Sequence, residues 1–143
     1  YENIEYLGIQ LADSDIPTAE SMALNYLTAN PDISVIFCSN DAAITGASNA
    51  FLQEGICGEV KLCSVDVSED IISYIKTGMV TATVLQSPYN MGYEGVKTIL
   101  ALLNGQSVEK QVDAGTYLLT KDNLDTDEAL AAIRQYLPNY QPE

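Results

Sequence analysis

Three runs of apolar residues each stop on a side chain able to exchange hydrogen bonds with hydroxyl groups. Val35-Ile36-Phe37-Cys38-Ser39 ends on Asn40 and Asp41, Val60-Lys61-Leu62-Cys63-Ser64-Val65 ends on Asp66, and the run Val80 to Leu85 ends on Gln86. A carboxylate accepts from two vicinal hydroxyls, whereas an amide both donates and accepts. Bonds to an ionised Asp66 would be charge-assisted and the stronger ones. Asn40, Asp66 and Gln86 together suit a neutral polyhydroxylated ligand. The same residues have plain structural uses: Asn40 and Asp41 as caps of a following helix, Asp66 as a turn, Gln86 as a solvated strand end. Tyr89 and Tyr93 are within reach of a ligand at the same edge, but a Tyr at helical spacing more often serves packing with a wet hydroxyl.

Other chemistries lack their parts. The chain has no His, which removes Ser-His and Cys-His arrangements and imidazole metal sites. Cys38, Cys57 and Cys63 have neither zinc spacing nor a C-x-x-C pair, and Cys38 and Cys63 read as buried, inert thiols inside strand patterns. Gly46 and Gly92 belong to no phosphate-cradling motif and are expected to allow close helix packing. A phosphoacceptor reading, with Asp66 ending a central strand and Lys121 following a late one, requires an acidic pair after the first strand. Asp13 and Asp15 are poor candidates for it. No metal, cofactor or catalytic residue is therefore expected. The net charge of −14, from 6 basic and 20 acidic residues, would repel phosphate backbones and anionic membranes, so nucleic acid is not an expected partner.

For those three side chains to share an edge, the chain between them must form strands joined by helical crossovers. In an open parallel sheet, ligands bind just outside the carboxyl ends of the strands. Ile4 to Gln10 reads as a first strand, followed by a turn at Asp13-Ser14-Asp15, with Pro17 suited to an early helical position. Met22, Ala23, Tyr26 and Leu27 give a helical face over Thr18 to Ala29, which Asn30-Pro31 ends. Ile33 to Ser39 is an apolar run typical of a strand covered on both faces. A helix from Asp41, placed to cap it, to Gly55 comes next, then strand Val60 to Val65 and a helix from Ser68 to Gly78 with Glu69 and Asp70 in its first turn. Strand Val80 to Leu85 follows. Tyr89 to Leu103 carries the longest helical stripe, Met91, Val96, Ile99, Leu100 and Leu103. Val108 to Val112 and Thr116 to Thr120 read as extended, and Thr126 to Leu137 as a helix with Leu130, Ile133 and Leu137 inward. This alternation in 143 residues argues for one domain, or part of one, of three-layer α/β/α architecture with a mainly parallel sheet. With no initiating Met and no signal-like start, the chain is expected to be a piece of a longer one.

Taken in order, Pro31-Asp32-Ile33, Phe37-Cys38-Ser39-Asn40-Asp41, Val65-Asp66, the run Gly78 to Pro88, Met91-Gly92-Tyr93 and Leu103-Asn104-Gly105 resemble the type I periplasmic binding proteins, most closely the sugar-binding branch with the ribose- and galactose-binding proteins. The resemblance implies that residues 1–143 are a carboxyl-terminal lobe fragment of a two-lobed, non-enzymatic solute-binding protein. It implies that Asn40, Asp66 and Gln86 bind sugar hydroxyls, that Gln86 lies at a hinge crossing, and that Asp41 caps a helix. By the same resemblance the protein is extracytoplasmic, periplasmic or a cell-surface lipoprotein, and delivers a sugar or polyol-like ligand to the permease of an ABC transporter. The alternative is the ligand-sensing domain of a LacI-type repressor or a membrane receptor. The repressors tend to carry Leu-Thr-Thr where Thr81-Ala82-Thr83 stands here, which favours transport. The family's cleft aromatic and Arg residues have no counterpart here, and Cys63-Ser64 replace a small residue and Gly-Phe, so the ligand's identity stays open.

The resemblance also implies that residues 88–112 pack on a missing amino-terminal lobe. Without it the stripe Val96, Ile99, Leu100 and Leu103 is left in water at a cost of about 1.5–3 kcal/mol per side chain. An isolated fragment is expected to repack this helix onto its own sheet, to self-associate, or to join the missing half. The segment Thr126 to Leu137 extends past the family's usual end, with no role assigned.

Overall fold

The computed structural model describes residues 3–142. Its elements run α1 (Ile16–Ala29), β1 (Val35–Cys38), α2 (Asp41–Glu54), β2 (Lys61–Val65), α3 (Glu69–Thr77), β3 (Ala82–Leu85), α4 (Pro88–Leu103), β4 (Tyr117–Thr120) and α5 (Asp127–Ile133). Local chemistry sets most of these limits. Asp15 caps α1 by accepting the Thr18 N–H at 2.9 Å, with Pro17 in the first turn, and Ser68 caps α3 by accepting the Ile71 N–H at 3.3 Å. Helix α3 stops at Gly78, whose φ of 83° is left-handed and free of cost only for glycine.

The sheet has the order β1-β2-β3-β4, with β1, β2 and β3 parallel and β4 antiparallel to β3. The register pairs Cys38 with Ser64, Ser64 with Thr83, and Thr83 with Leu119. Because side chains alternate along a strand, these residues share one face. That face is buried: Cys38, Leu62, Leu85 and Leu119 pack with Ile44, Ala47 and Phe51 of α2, Ile71, Ile72 and Ile75 of α3, and Ala129 and Ile133 of α5. Helix α1 packs on α2, where Gly46 permits close approach: a Cβ there would stand 2.5 Å from the Ile16 carbonyl oxygen.

Four expectations are corrected, and one of the three outcomes open to the stripe of α4 is excluded. Ile4 to Gln10 forms no strand; Ile4, Tyr6 and Ile9 are 69–76% exposed. A strand needs a partner, and among the described residues this run pairs with none: the edge of β1 stays open. Nor is β1 covered on both faces: Val35 and Phe37, on the face opposite Cys38 and the core helices, are 54% and 63% exposed. Val108 to Val112 also forms no strand. Gly92 has no neighbouring atom within 4 Å of a built Cβ, so unlike Gly46 it serves no close packing among the described residues. Helix α4 is not repacked onto the sheet: none of its residues is buried, and Val96, Ile99, Leu100 and Leu103 are 55–78% exposed.

Cys38 and Cys63 are free thiols facing opposite sides of the sheet, since Cys38 pairs with Ser64 while Phe37 pairs with Cys63. Burial pushes the Cys38 thiol up to about 12, helped by the neighbouring Cys63. Cys38 is inert as expected; Cys63 is only half-buried, and its thiol is raised chiefly by burial.

Candidate functional site

The geometry at the carboxyl edge begins with the backbone of Asp66. Its φ is 76°, a left-handed conformation that Asp tolerates better than most residues. Two bonds hold it there: the Asp66 N–H donates to the Val84 carbonyl at 2.9 Å, and Thr83 Oγ1 donates to the Asp66 carbonyl at 2.6 Å. Thr83 Oγ1 in turn accepts from Ser64 Oγ at 2.8 Å. Ser64 and Thr83 are both about fully buried, at 1% exposure, so this hydroxyl relay is a satisfied interior network that fixes how β2 ends. Ser64 thus has a definite partner in Thr83.

So oriented, Asp66 Oδ1 accepts from Gln86 Nε2 at 2.7 Å. Gln86 is the first residue past β3, and its own N–H donates to the Tyr136 hydroxyl at 2.7 Å. Burial raises the Tyr136 phenol; the Gln86 N–H lowers it, and the Asp66 charge raises it further, so it stays protonated at neutral pH. Next in the chain, Ser87 Oγ donates to Gln135 Oε1 at 2.9 Å.

Asn40 lies on the same edge. Since Cys38 pairs with Ser64, Asn40 stands as far beyond β1 as Asp66 stands beyond β2. Asn40, not Asp41, caps α2: its Oδ1 accepts the Ala43 N–H at 2.9 Å, and Asp41 occupies the first turn, where a negative charge favours the helix dipole. Asn40 Nδ2 donates to Ser14 Oγ at 3.2 Å, which brings the turn before α1, with Asp13 and Ser14 at φ 50° and 59°, to the rim.

Asn40, Asp66 and Gln86 are all half-buried and share one edge, and Asp66 and Gln86 are in direct contact. The strand-end pattern did not disclose Ser14, Gln135 or Tyr136, because each arrives from a segment distant in sequence. Tyr89 and Tyr93 stack on each other on α4, rings 6.2 Å apart, with Lys97 Nζ 5.9 Å from the Tyr93 centroid, and no hydrogen bond among the described residues joins them to the trio. Two shallow grooves run along α4, one lined by Lys97, Thr98 and Val108, the other by Met91, Ile99 and Ala114; neither includes the trio.

A family model described as a periplasmic binding protein domain matches residues 1–107. The chain belongs to this family. It is 33% identical over 97 residues to the D-allose-binding periplasmic protein of Escherichia coli, covering 68% of this chain and 31% of that one. To the ribose import binding protein of Salmonella typhimurium it is 31% identical over 115 residues, covering 80% of this chain and 38% of that one. Among solved structures, an ABC transporter solute-binding protein from Agrobacterium vitis with bound D-fucose matches at TM-score 0.75 and 35% identity, covering 87% of this chain and 43% of that one. A carbohydrate transporter solute-binding protein from Agrobacterium radiobacter, in complex with D-arabinose, matches at TM-score 0.79 and 32% identity, covering 93% and 45%. The chain therefore spans about a third of the length of these curated relatives and under half of the solved chains. No described helix is long and apolar enough to cross a membrane.

Proposed function

We propose that this chain is the carboxyl-terminal lobe of an extracytoplasmic solute-binding protein that grips a sugar, or a similar polyol-like ligand, for an ABC importer. In this reading Asn40, Asp66 and Gln86 are one jaw, and an amino-terminal lobe supplies the other. The observation that carries it is the Asp66–Gln86 pair at 2.7 Å, half-exposed on the rim where parallel strands end. A carboxylate oriented by a neighbouring amide keeps lone pairs free for vicinal hydroxyls, while the amide still offers its own oxygen. Asn40 contributes an Nδ2 group with a second donor beyond the one used on Ser14.

The same proposal assigns α4 and the residues through 112 to the surface of the amino-terminal lobe. Its support is the unburied stripe Val96, Ile99, Leu100 and Leu103 on a helix that makes no extensive contact with any other described element. The chain leaves the sheet after Gln86 and re-enters at Tyr117, which pairs with Leu85. Those two crossings are the hinge. A ligand touching both lobes favours the closed form by its differential affinity for it.

Calorimetry on the two-lobed full-length protein with D-ribose, D-allose, D-arabinose and D-fucose tests this. Asp66→Ala removes charge-assisted bonds worth about 1.5–3 kcal/mol each and lowers affinity at least tenfold. Wild-type affinity in that variant removes Asp66 from the site.

A further inference from the structure

We propose that the segment following α5 pins the point where the chain leaves the lobe, making Tyr136 and Gln135 positioning residues for Gln86. The proposal rests on the reading of Asp66 and Gln86 as a sugar-binding pair.

Two consecutive residues of the segment meet two consecutive residues of the exit. The Tyr136 hydroxyl takes the Gln86 N–H at 2.7 Å, and Gln135 Oε1 takes the Ser87 hydroxyl at 2.9 Å, across 50 and 48 positions of sequence. Leu85 is the last paired residue of β3, so the Gln86 N–H has left the sheet ladder and finds its acceptor in the phenol instead. Ser87 is 5% exposed, and Pro88 then opens α4 with its φ fixed by the ring.

The pin itself is held from behind. Ala129 and Ile133 of α5 are fully buried against the core that includes Leu119 and Leu124. The N–H groups of Tyr136 and Leu137 both bond the Ile133 carbonyl, at 3.0 and 2.9 Å, and the Tyr140 N–H bonds the Leu137 carbonyl at 2.9 Å. Arg134 Nε closes the turn on the Tyr140 carbonyl at 3.3 Å. The phenol is thus part of the sheet's rigid body and does not follow α4. Any rotation between the lobes is taken up after Ser87, and Gln86 remains on Asp66 while the hinge moves. Holding a binding group in place before the ligand arrives saves the entropy of ordering it later.

The test uses the two-lobed full-length protein, the same four sugars, and amide exchange at Gln86 followed by NMR. Tyr136→Phe keeps the ring and removes the acceptor; it weakens the tightest of the four sugars by about two- to tenfold, the worth of one net hydrogen bond. It also accelerates exchange of the Gln86 amide. Gln135→Ala is the second variant and weakens the same sugar in the same direction. If Tyr136 acts through Gln86, the penalty of Tyr136→Phe falls below about twofold in a Gln86→Ala background, whereas a merely structural role leaves it undiminished. An undiminished penalty there, or unchanged Gln86 exchange in Tyr136→Phe, overturns the pin. Wild-type affinity in Asp66→Ala overturns the sugar-binding reading instead, and the pin is then decided by Gln86 exchange alone.

Discussion

Replacing Gly46 with Ala tests how α1 is seated, and two opposing effects make the outcome informative. A Cβ at this position would lie 2.5 Å from the Ile16 carbonyl oxygen, 2.7 Å from Ala19 Cβ and 2.7 Å from the Glu20 nitrogen. Two of these are backbone atoms, which have no rotamer into which to retreat. Non-bonded heavy atoms prefer about 3.5–4.0 Å, so α1 must withdraw by about 1 Å. Overpacking of this kind costs about 1–3 kcal/mol, while Gly→Ala inside a helix returns about 1 kcal/mol of propensity. The steric cost wins, because the buried residues of α1 are only Ala19 and Ala23 and the helix depends on close approach rather than bulk. With a clash this close the upper part of that range applies, about 2–3 kcal/mol, and the net loss of about 1–2 kcal/mol lowers the urea midpoint by roughly 0.5–1 M for a chain with an m-value of about 2 kcal/mol/M. Circular dichroism during urea unfolding measures it. The retreat also carries Ser14 off Asn40 Nδ2, now 3.2 Å away, and shifts the Asn40 side-chain amide resonances. A variant as stable as wild type, or more stable, refutes this account of the α1–α2 contact.

Three further outcomes follow from other parts of the fold. The isolated chain, with the α4 stripe 55–78% exposed, self-associates with rising concentration or is captured by the amino-terminal lobe; analytical ultracentrifugation showing a monodisperse monomer with α4 solvated would sink the assignment of that helix to an interface. The unfolded Cys38 thiol ionises around 9.0 while the folded one holds its proton up to about 12, so its contribution to stability is complete below 9.0 and lost as pH rises through that window; Cys38→Ala flattens the alkaline limb of the urea midpoint. Ser48 Oγ is buried in α2 with no hydrogen-bond partner among the described residues, so Ser48→Ala raises stability by about 1 kcal/mol, and thermal unfolding that shows a loss would mean the hydroxyl is satisfied.

What the amino-acid order disclosed was whatever is encoded locally. The apolar runs before Asn40, Asp66 and Gln86 became three adjacent parallel strands, and α4 matched its stripe to within one residue at its start. The first run, Ile4 to Gln10, is also apolar but pairs with no strand among the described residues, and composition cannot report whether a run finds a partner. The cap of α2 was displaced by one residue for a related reason. Asn40 and Asp41 are both good caps, and only the backbone at Asn40, extended at φ −160°, decides which side chain reaches the Ala43 N–H. Tyr136 was invisible because its partner lies 50 positions away, and nothing in a helical pattern from Thr126 to Leu137 distinguishes a tyrosine facing the core from one reaching the rim.

The left-handed backbone of Asp66 limits what evolution or an engineer can do with this position. At φ 76° a β-branched or bulky replacement carries strain on the order of 1–3 kcal/mol, whereas Asn and Gly fit. Among hydrogen-bonding side chains the tolerated repertoire is thus a carboxylate or an amide. Exchanging the first for the second keeps the shape while adding a donor, so it is the shortest route by which this fold could be retuned toward a different solute without disturbing the backbone beneath it.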